Sequence, residues 1–195
     1  MFLGHATLVA SQAGLGIFEI LAECTAAFHI GNPTELDISL QWRLAGWLPV
    51  AAVADLWTTQ GAAFVAGDRL LDAAPSGPRW LAEPEVAAVV VKVLREGAAE
   101  GRYDLGSWVL MPNHVHVLLK PGDTLPREIA WIKGRTALEA NRVMKRSGSF
   151  WAKDYFDRWI RNRNEWEKVI RYIEQNPVKA GLCKSPKTGN GQVPT

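Results

Sequence analysis

Two histidines, His114 and His116, stand two residues apart in the stretch Trp108-Val109-Leu110-Met111-Pro112-Asn113-His114-Val115-His116-Val117-Leu118-Leu119. Residues i and i+2 of a strand project from one face. The two imidazoles therefore lie side by side, while Val115, Val117 and Leu119 face the other way. Adjacent neutral imidazoles make a two-ligand edge for an ion such as Mn²⁺ or Zn²⁺. The competing reading is two unrelated, partly buried histidines. A second pair, Tyr172 and Asn176, is four residues apart and falls on one flank of a helix. Alone, Tyr172 reads as an ordinary helix tyrosine at a core edge, and Asn176 before Pro177 as a helix stop. Tyr155 is a rival phenol, although its neighbours Phe156 and Trp159 point to packing. The chain has no nucleophile-elbow serine, phosphate-binding glycine loop or Cys/His zinc-finger spacing.

The elements that would position these residues follow from periodicity and punctuation. Two apolar, β-branched runs, Tyr103 to Met111 and His114 to Leu119, meet at Pro112-Asn113 and read as a hairpin. Leu36 to Trp42 alternates apolar and polar residues, as a half-buried strand does. Glu83-Pro84-Glu85 starts a helix with acidic residues at its positive end. Its apolar stripe is Val86, Val89, Val90, Val93 and Leu94, and Gly97 to Gly101 ends it. Pro126 opens a long helix to about Lys145, with Ile129, Ile132, Thr136, Ala140 and Val143 at helical spacing. Part of Phe150 to Arg161 reads as a further strand. The last helix has Asn164 as N-cap with Glu167 in the capping-box position, and Pro177 stops it near Gln175. Pro49 opens a short helix over 50–58, and 60–80 reads mostly as a connection. Residues 17–27 read as helical within a small, apolar N-terminal extension. No stretch has the length and purity of a membrane span, and the start lacks the basic region of a signal peptide.

With 195 residues, 48% of them hydrophobic, the chain suits one domain with attachments. We place an N-terminal extension at 1–32, the domain at 33–182 and a loose basic tail at 183–195. Cys24 and Cys183 form no metal or redox spacing, which fits a reduced cytoplasmic protein. The net charge of +2 is unevenly divided: residues 1–119 carry −6 and residues 120–195 carry +8. A basic C-terminal half points to a polyanion footprint, with a solvated basic helix face as the alternative. Lys133, Arg135, Arg142 and Lys145 on the long helix, and Lys153, Arg158, Arg161 and Arg163 beyond it, are the candidate cations of that footprint.

Three segments together resemble a known family. Met111 to Leu119 resembles the histidine motif of the HUH single-strand DNA transposases. Phe150-Trp151-Ala152-Lys153-Asp154-Tyr155-Phe156-Asp157-Arg158-Trp159-Ile160-Arg161 and Tyr172-Ile173-Glu174-Gln175-Asn176-Pro177-Val178-Lys179-Ala180-Gly181-Leu182 follow in the order found in the REP-associated tyrosine transposases. The likeness covers roughly 36–182, and Leu36–Trp42 departs from the aromatic first strand usual there. It implies an α+β fold: a ferredoxin-like, RRM-like antiparallel sheet with helices mainly on one face, plus a C-terminal helix carrying the tyrosine. It also implies a divalent metal, Mg²⁺ or Mn²⁺, on His114, His116 and Asn176, with Tyr172 as nucleophile.

The implied activity is that of a metal-dependent single-stranded DNA endonuclease and strand transferase working through a 5′-phosphotyrosine intermediate. The implied partner is single-stranded DNA with hairpins, such as REP-like palindromes. The chain would be a monomer or dimer, cytoplasmic and nucleoid-associated, with no membrane partner. Two other functions compete. A non-catalytic nucleic-acid-binding protein on the same scaffold would keep the basic helices alone, and the presence of Tyr172, Asn176 and both histidines weighs against it. An unrelated metal hydrolase would need an acidic general base near the histidines, and none is there.

Overall fold

The computed structural model describes residues 22–23, 37–46, 71 and 77–184. The expected short helix over 50–58 and most of the connection over 60–80 lie outside these residues. Ala22–Glu23 forms a two-residue strand, β1, inside the stretch read as helical; the rest of that stretch is likewise outside them. The remaining strands are β2 (Ile38–Arg43), β3 (Tyr103–Leu110), β4 (His114–Pro121) and β5 (Phe156–Trp159). The helices are α1 (Pro84–Ala99), α2 (Leu125–Val143) and α3 (Arg163–Lys179).

The sheet runs β1-β3-β4-β2-β5, with every pairing antiparallel. From β2 onward the chain reads β-α-β-β-α-β and the spatial order is β3-β4-β2-β5. This is the expected ferredoxin-like arrangement. A crossover helix after β2 carries the chain past the place that β4 later fills, so the hairpin partner slots between β3 and β2.

Alternation along each strand decides which side chains meet the helices. Ile38, Leu40 and Trp42 of β2, with Val115, Val117 and Leu119 of β4, share one core with Val86, Val90 and Leu94 of α1 and Ile129 and Ile132 of α2. β3 would lose this parity halfway, because Leu105 and Trp108 are three residues apart. The ladder inserts one residue there: Leu105 pairs Leu119 and Trp108 pairs Val117. That bulge at Gly106-Ser107 keeps Tyr103, Leu105, Trp108 and Leu110 all on the helix side.

The opposite face carries a second, smaller core. Val109, Met111 and Leu118 of the sheet meet Ile160, and Ile173 of α3 closes it. α3 thus covers the face that α1 and α2 leave open. β4 is consequently buried on both sides, which explains its near-continuous apolar composition.

Both expected ends of α3 shift. Asn162, not Asn164, is the N-cap: its side-chain oxygen accepts from the Glu165 N–H at 3.0 Å. Glu165 returns the favour to the Arg161 N–H at 2.9 Å. At the other end the helix runs through Pro177. Gly181 ends it, at φ 71, with Leu182 N–H donating to the Pro177 carbonyl and Gly181 N–H to that of Val178. This is a Schellman closure, which needs a left-handed residue and finds glycine. Pro177 lies in the final turn, where its lost N–H costs a single helical bond.

One contact between α1 and β3 is tight enough to test. Tyr103 is buried, its hydroxyl donating to the Leu94 carbonyl at 3.0 Å, and its ring lies directly against Gly97. A methyl group at residue 97 would overlap the phenol. We expect Gly97→Ala to lower the unfolding free energy by about 1–3 kcal/mol, the usual cost of overpacking. Denaturant unfolding measures this, and a neutral substitution would show that the ring can withdraw.

Candidate active site

The Pro112-Asn113 turn that begins the site is pinned through its backbone. The Pro112 carbonyl accepts from the Leu81 N–H at 3.2 Å, and the Asn113 carbonyl from the Leu44 N–H at 2.8 Å. β4 leaves this turn with His114 opposite Arg43 and His116 opposite Gln41. Both imidazoles project to the face away from α1 and α2, as the alternation requires. They are nevertheless not on an open surface: His114 is 0% and His116 1% exposed. α3 lies over them.

Four side chains converge there. His114 Nε2 and His116 Nε2 are 3.1 Å apart, with their rings edge to face. Asn176 Nδ2 lies 3.0 Å from His116 Nε2, across 60 residues of sequence. The Tyr172 ring centroid is 5.7 Å from that of His116, again edge to face. Asn176 is buried, whereas Tyr172 is only partly buried. The i, i+4 spacing of Tyr172 and Asn176 does this work: one turn of α3 aims both at β4.

Two further residues belong to the site that sequence reasoning did not single out. Asn113 sits behind His114, its Oδ1 2.7 Å from His114 Nδ1. Lys179 places its ammonium 5.0 Å from the Tyr172 ring centroid. Its seven-residue offset from Tyr172, two helical turns, was a legible signal. Tyr155 goes elsewhere. It packs against the core shared with α1 and α2, and Lys133 Nζ lies 5.9 Å from its ring centroid. Burial, and then Asp157, pushes its phenol pKa up, away from easy ionisation.

The donor set tests whether a metal fits. Among the described residues no three His, Cys, Asp or Glu gather. An ion at this place would rest on two imidazoles and a carboxamide. The 3.1 Å between the two Nε2 atoms suits neighbouring ligands on one ion with bonds of about 2.1 Å. Asn176 turns its Nδ2 toward His116, so its Oδ1 would serve an ion with the amide rotated by half a turn. Two nitrogens and one amide oxygen fit Mn²⁺ more readily than Mg²⁺.

The eight candidate cations do not form one surface. Lys133, Arg135, Arg142 and Lys145 belong to α2 and the turn after it, and α2 packs on the sheet face opposite the histidines. Lys133 donates to the carbonyls of Ala152, Lys153 and Asp154 at 2.7, 3.0 and 3.1 Å, clasping that loop. Burial pushes its pKa down to about 8, against the pull of Asp154. Arg135 is paired with Glu96 and Glu139. Arg158 and Arg163 are exposed and paired with Glu165 and Glu167, where β5 leads into α3. Arg142, Lys145, Lys153 and Arg161 are exposed.

Lys145 offers a test with two signs. It ends α2 at φ 51, a left-handed conformation that favours glycine. If it serves DNA, Lys145→Gly will raise stability by about 1 kcal/mol, weaken DNA binding and reduce the salt slope of log K by about 1. Unfolding curves and salt-dependent titrations of single-stranded DNA read both. A gain in stability with unchanged affinity would remove Lys145 from the interface.

The family model described as "Transposase IS200 like" matches residues 79–176. That span runs from the turn before α1 to Asn176 and includes both histidines and Tyr172. No curated protein matches the chain. Among solved structures, a REP-associated tyrosine transposase bound to a REP hairpin is 16% identical, with TM-score 0.49, covering 80% of this chain and 75% of that one. A protein of Deinococcus radiodurans R1 described as a transposase is 17% identical, with TM-score 0.40, covering 76% of this chain and 93% of the other. With its histidine strand, tyrosine helix and sheet all within or beside the matched span, the chain belongs to the IS200-like transposase family.

Proposed function

We propose that this transposase cleaves and rejoins single-stranded DNA next to hairpins, with Tyr172 as nucleophile. The observation that carries the reading is the meeting of Tyr172 and Asn176 with His116, brought from α3 to β4. Neither pair alone demands chemistry. Together they put a partly buried phenol beside a cluster of buried nitrogen donors, which a packing role for Tyr172 does not require.

His114, His116 and Asn176 would hold a divalent ion, Mn²⁺ or Mg²⁺. When bound, the ion supplies polarisation of a non-bridging phosphate oxygen and neutralises charge that repels a nucleophile. The chain's own residues do the rest. The Tyr172 oxygen attacks the phosphorus, forming a phosphotyrosyl bond to the 5′ end of the strand downstream of the break. The bond from phosphorus to the 3′ oxygen breaks, and that oxygen leaves as a 3′-OH after gaining a proton. The phenol proton is lost in the same exchange. Attack by the same or another 3′-OH reverses the sequence, so a strand is transferred without an external energy source. Lys179 sets a positive charge beside the ring that the phosphodiester must approach.

Hairpin-bearing single strands are the substrate we assign, and the exposed cations between Lys153 and Arg163 are the nearest candidates to hold them. Among the described residues no helix is long and apolar enough to cross a membrane. We assign the protein to the cytoplasm, on nucleoid DNA, as a monomer or dimer. Incubation of the full chain with end-labelled hairpin DNA and Mn²⁺ tests the reading. A labelled band that resists denaturing electrophoresis is expected from the hairpin strand and not from plain duplex. Binding without any adduct under either metal would favour a non-catalytic DNA-binding protein.

A further inference from the structure

Asn113 is held from both ends of its amide. It is 5% exposed, and its backbone carbonyl is fixed by Leu44. Its side-chain Nδ2 donates to the Leu71 carbonyl at 2.8 Å. A carbonyl oxygen only accepts, so the NH₂ end of the amide must face Leu71. The Oδ1 end then faces His114 Nδ1, 2.7 Å away. That oxygen also only accepts, so Nδ1 must carry the proton. A neutral imidazole has one N–H, which leaves a lone pair on His114 Nε2. Nε2 is the atom that lies 3.1 Å from His116 Nε2.

From this chain of bonds we infer that Asn113 is a positioning residue. Anchored on Leu71, it locks His114 in the tautomer protonated at Nδ1 and so aims the Nε2 lone pair at the place where His116 and Asn176 meet. The proton on Nδ1 follows from the hydrogen bonds, and the Nε2 lone pair from that proton in the neutral ring; its use in holding an ion rests on the proposed function. Outer partners of this kind fix ring orientation and basicity, and their loss typically costs metal affinity about 10–100-fold. A residue that merely closed the hairpin turn would have no influence on which ring nitrogen carries hydrogen.

The test uses the full chain, labelled with ¹⁵N and stripped of metal by EDTA. Long-range ¹H–¹⁵N correlation spectra distinguish the two neutral tautomers of each histidine. His114→Gln assigns the signals of His114 by their disappearance. In the wild type, His114 is expected to be protonated at Nδ1. Asn113→Ala should shift His114 to the Nε2–H form or to a mixture, and weaken Mn²⁺ binding about 10–100-fold by titration. Asn113→Asp keeps an acceptor oxygen and should keep the tautomer, so it serves if the alanine variant does not fold. A wild-type His114 protonated at Nε2 would overturn the inference. So would an alanine variant that is folded and retains the Nδ1–H form. A locked wild-type tautomer in a protein that binds no Mn²⁺ would uphold the positioning role and remove the metal from the proposed function instead.

Discussion

Tyr172→Phe will abolish the covalent DNA adduct while leaving DNA binding within about twofold of wild type. Only the phenolic oxygen is lost. The ring keeps its edge-to-face contact with His116 and its place under Lys179. The neighbouring Ile173, which seals the small core, is untouched. The ring supplies most of the packing area and loses none of it, so the fold should persist. Tyr155→Phe is the control. Tyr155 packs on the other side of the sheet, and its variant should stay active. Gel-resolved adduct yield and fluorescence titration, run together on both variants, separate the two phenols. Survival of the adduct in Tyr172→Phe with its loss in Tyr155→Phe would move the nucleophile to the loop before β5.

The second large effect belongs to the histidines. His116→Ala removes the group that touches His114, Asn176 and Tyr172 at once. Cleavage should fall by more than about 100-fold, beyond what loss of an outer partner costs. Stability should fall too, by about 1–3 kcal/mol, because buried polar neighbours lose a partner. His114→Ala should behave similarly. The diagnostic is metal rescue: raised Mn²⁺ should restore part of the activity to a single-histidine variant. No metal concentration replaces the oxygen missing from Tyr172→Phe. Equal failure of rescue in all three variants would mean that the histidines serve packing rather than an ion.

Much of the framework was legible because period-two alternation is a local signal. The hairpin about Pro112-Asn113, the opposite facing of His114 and Val115, and the extents of α1 and α2 all follow from residues within a few positions of one another. The N-terminus of α3 was read two residues late because Asn162–Glu165 and Asn164–Glu167 offer the same capping pattern. The choice between them lay outside the motif, in the Glu165 bond to the Arg161 N–H. Its C-terminus was read too early because the proline rule considers only the residue before it. The Schellman glycine four residues later prevailed.

The candidate site was half legible. Residue types and spacing gave His114, His116, Tyr172 and Asn176, but not that α3 would bury the histidine face. That burial depends on Ile173 finding Val109, Met111, Leu118 and Ile160, a long-range match with no local sign. The same limit applies to charge. Lys133 looked like one cation among several on a basic helix face, yet three carbonyls from the segment after α2 enclose its ammonium. Asn113 was visible as a turn residue; its second task depends on Leu71, 42 residues away.

The most direct test of Tyr172 as nucleophile is to locate the covalent bond in the wild-type protein. The adduct formed with hairpin DNA and Mn²⁺ is trimmed by nuclease, digested with trypsin and sequenced by mass spectrometry. Cleavage after Arg171 and Lys179 releases residues 172–179, and cleavage after Lys153 and Arg158 releases residues 154–158, so the two phenols fall in different peptides. A nucleotide phosphate is expected on Tyr172 in the first peptide. The same mass on Tyr155, with the first peptide unmodified, would contradict that assignment.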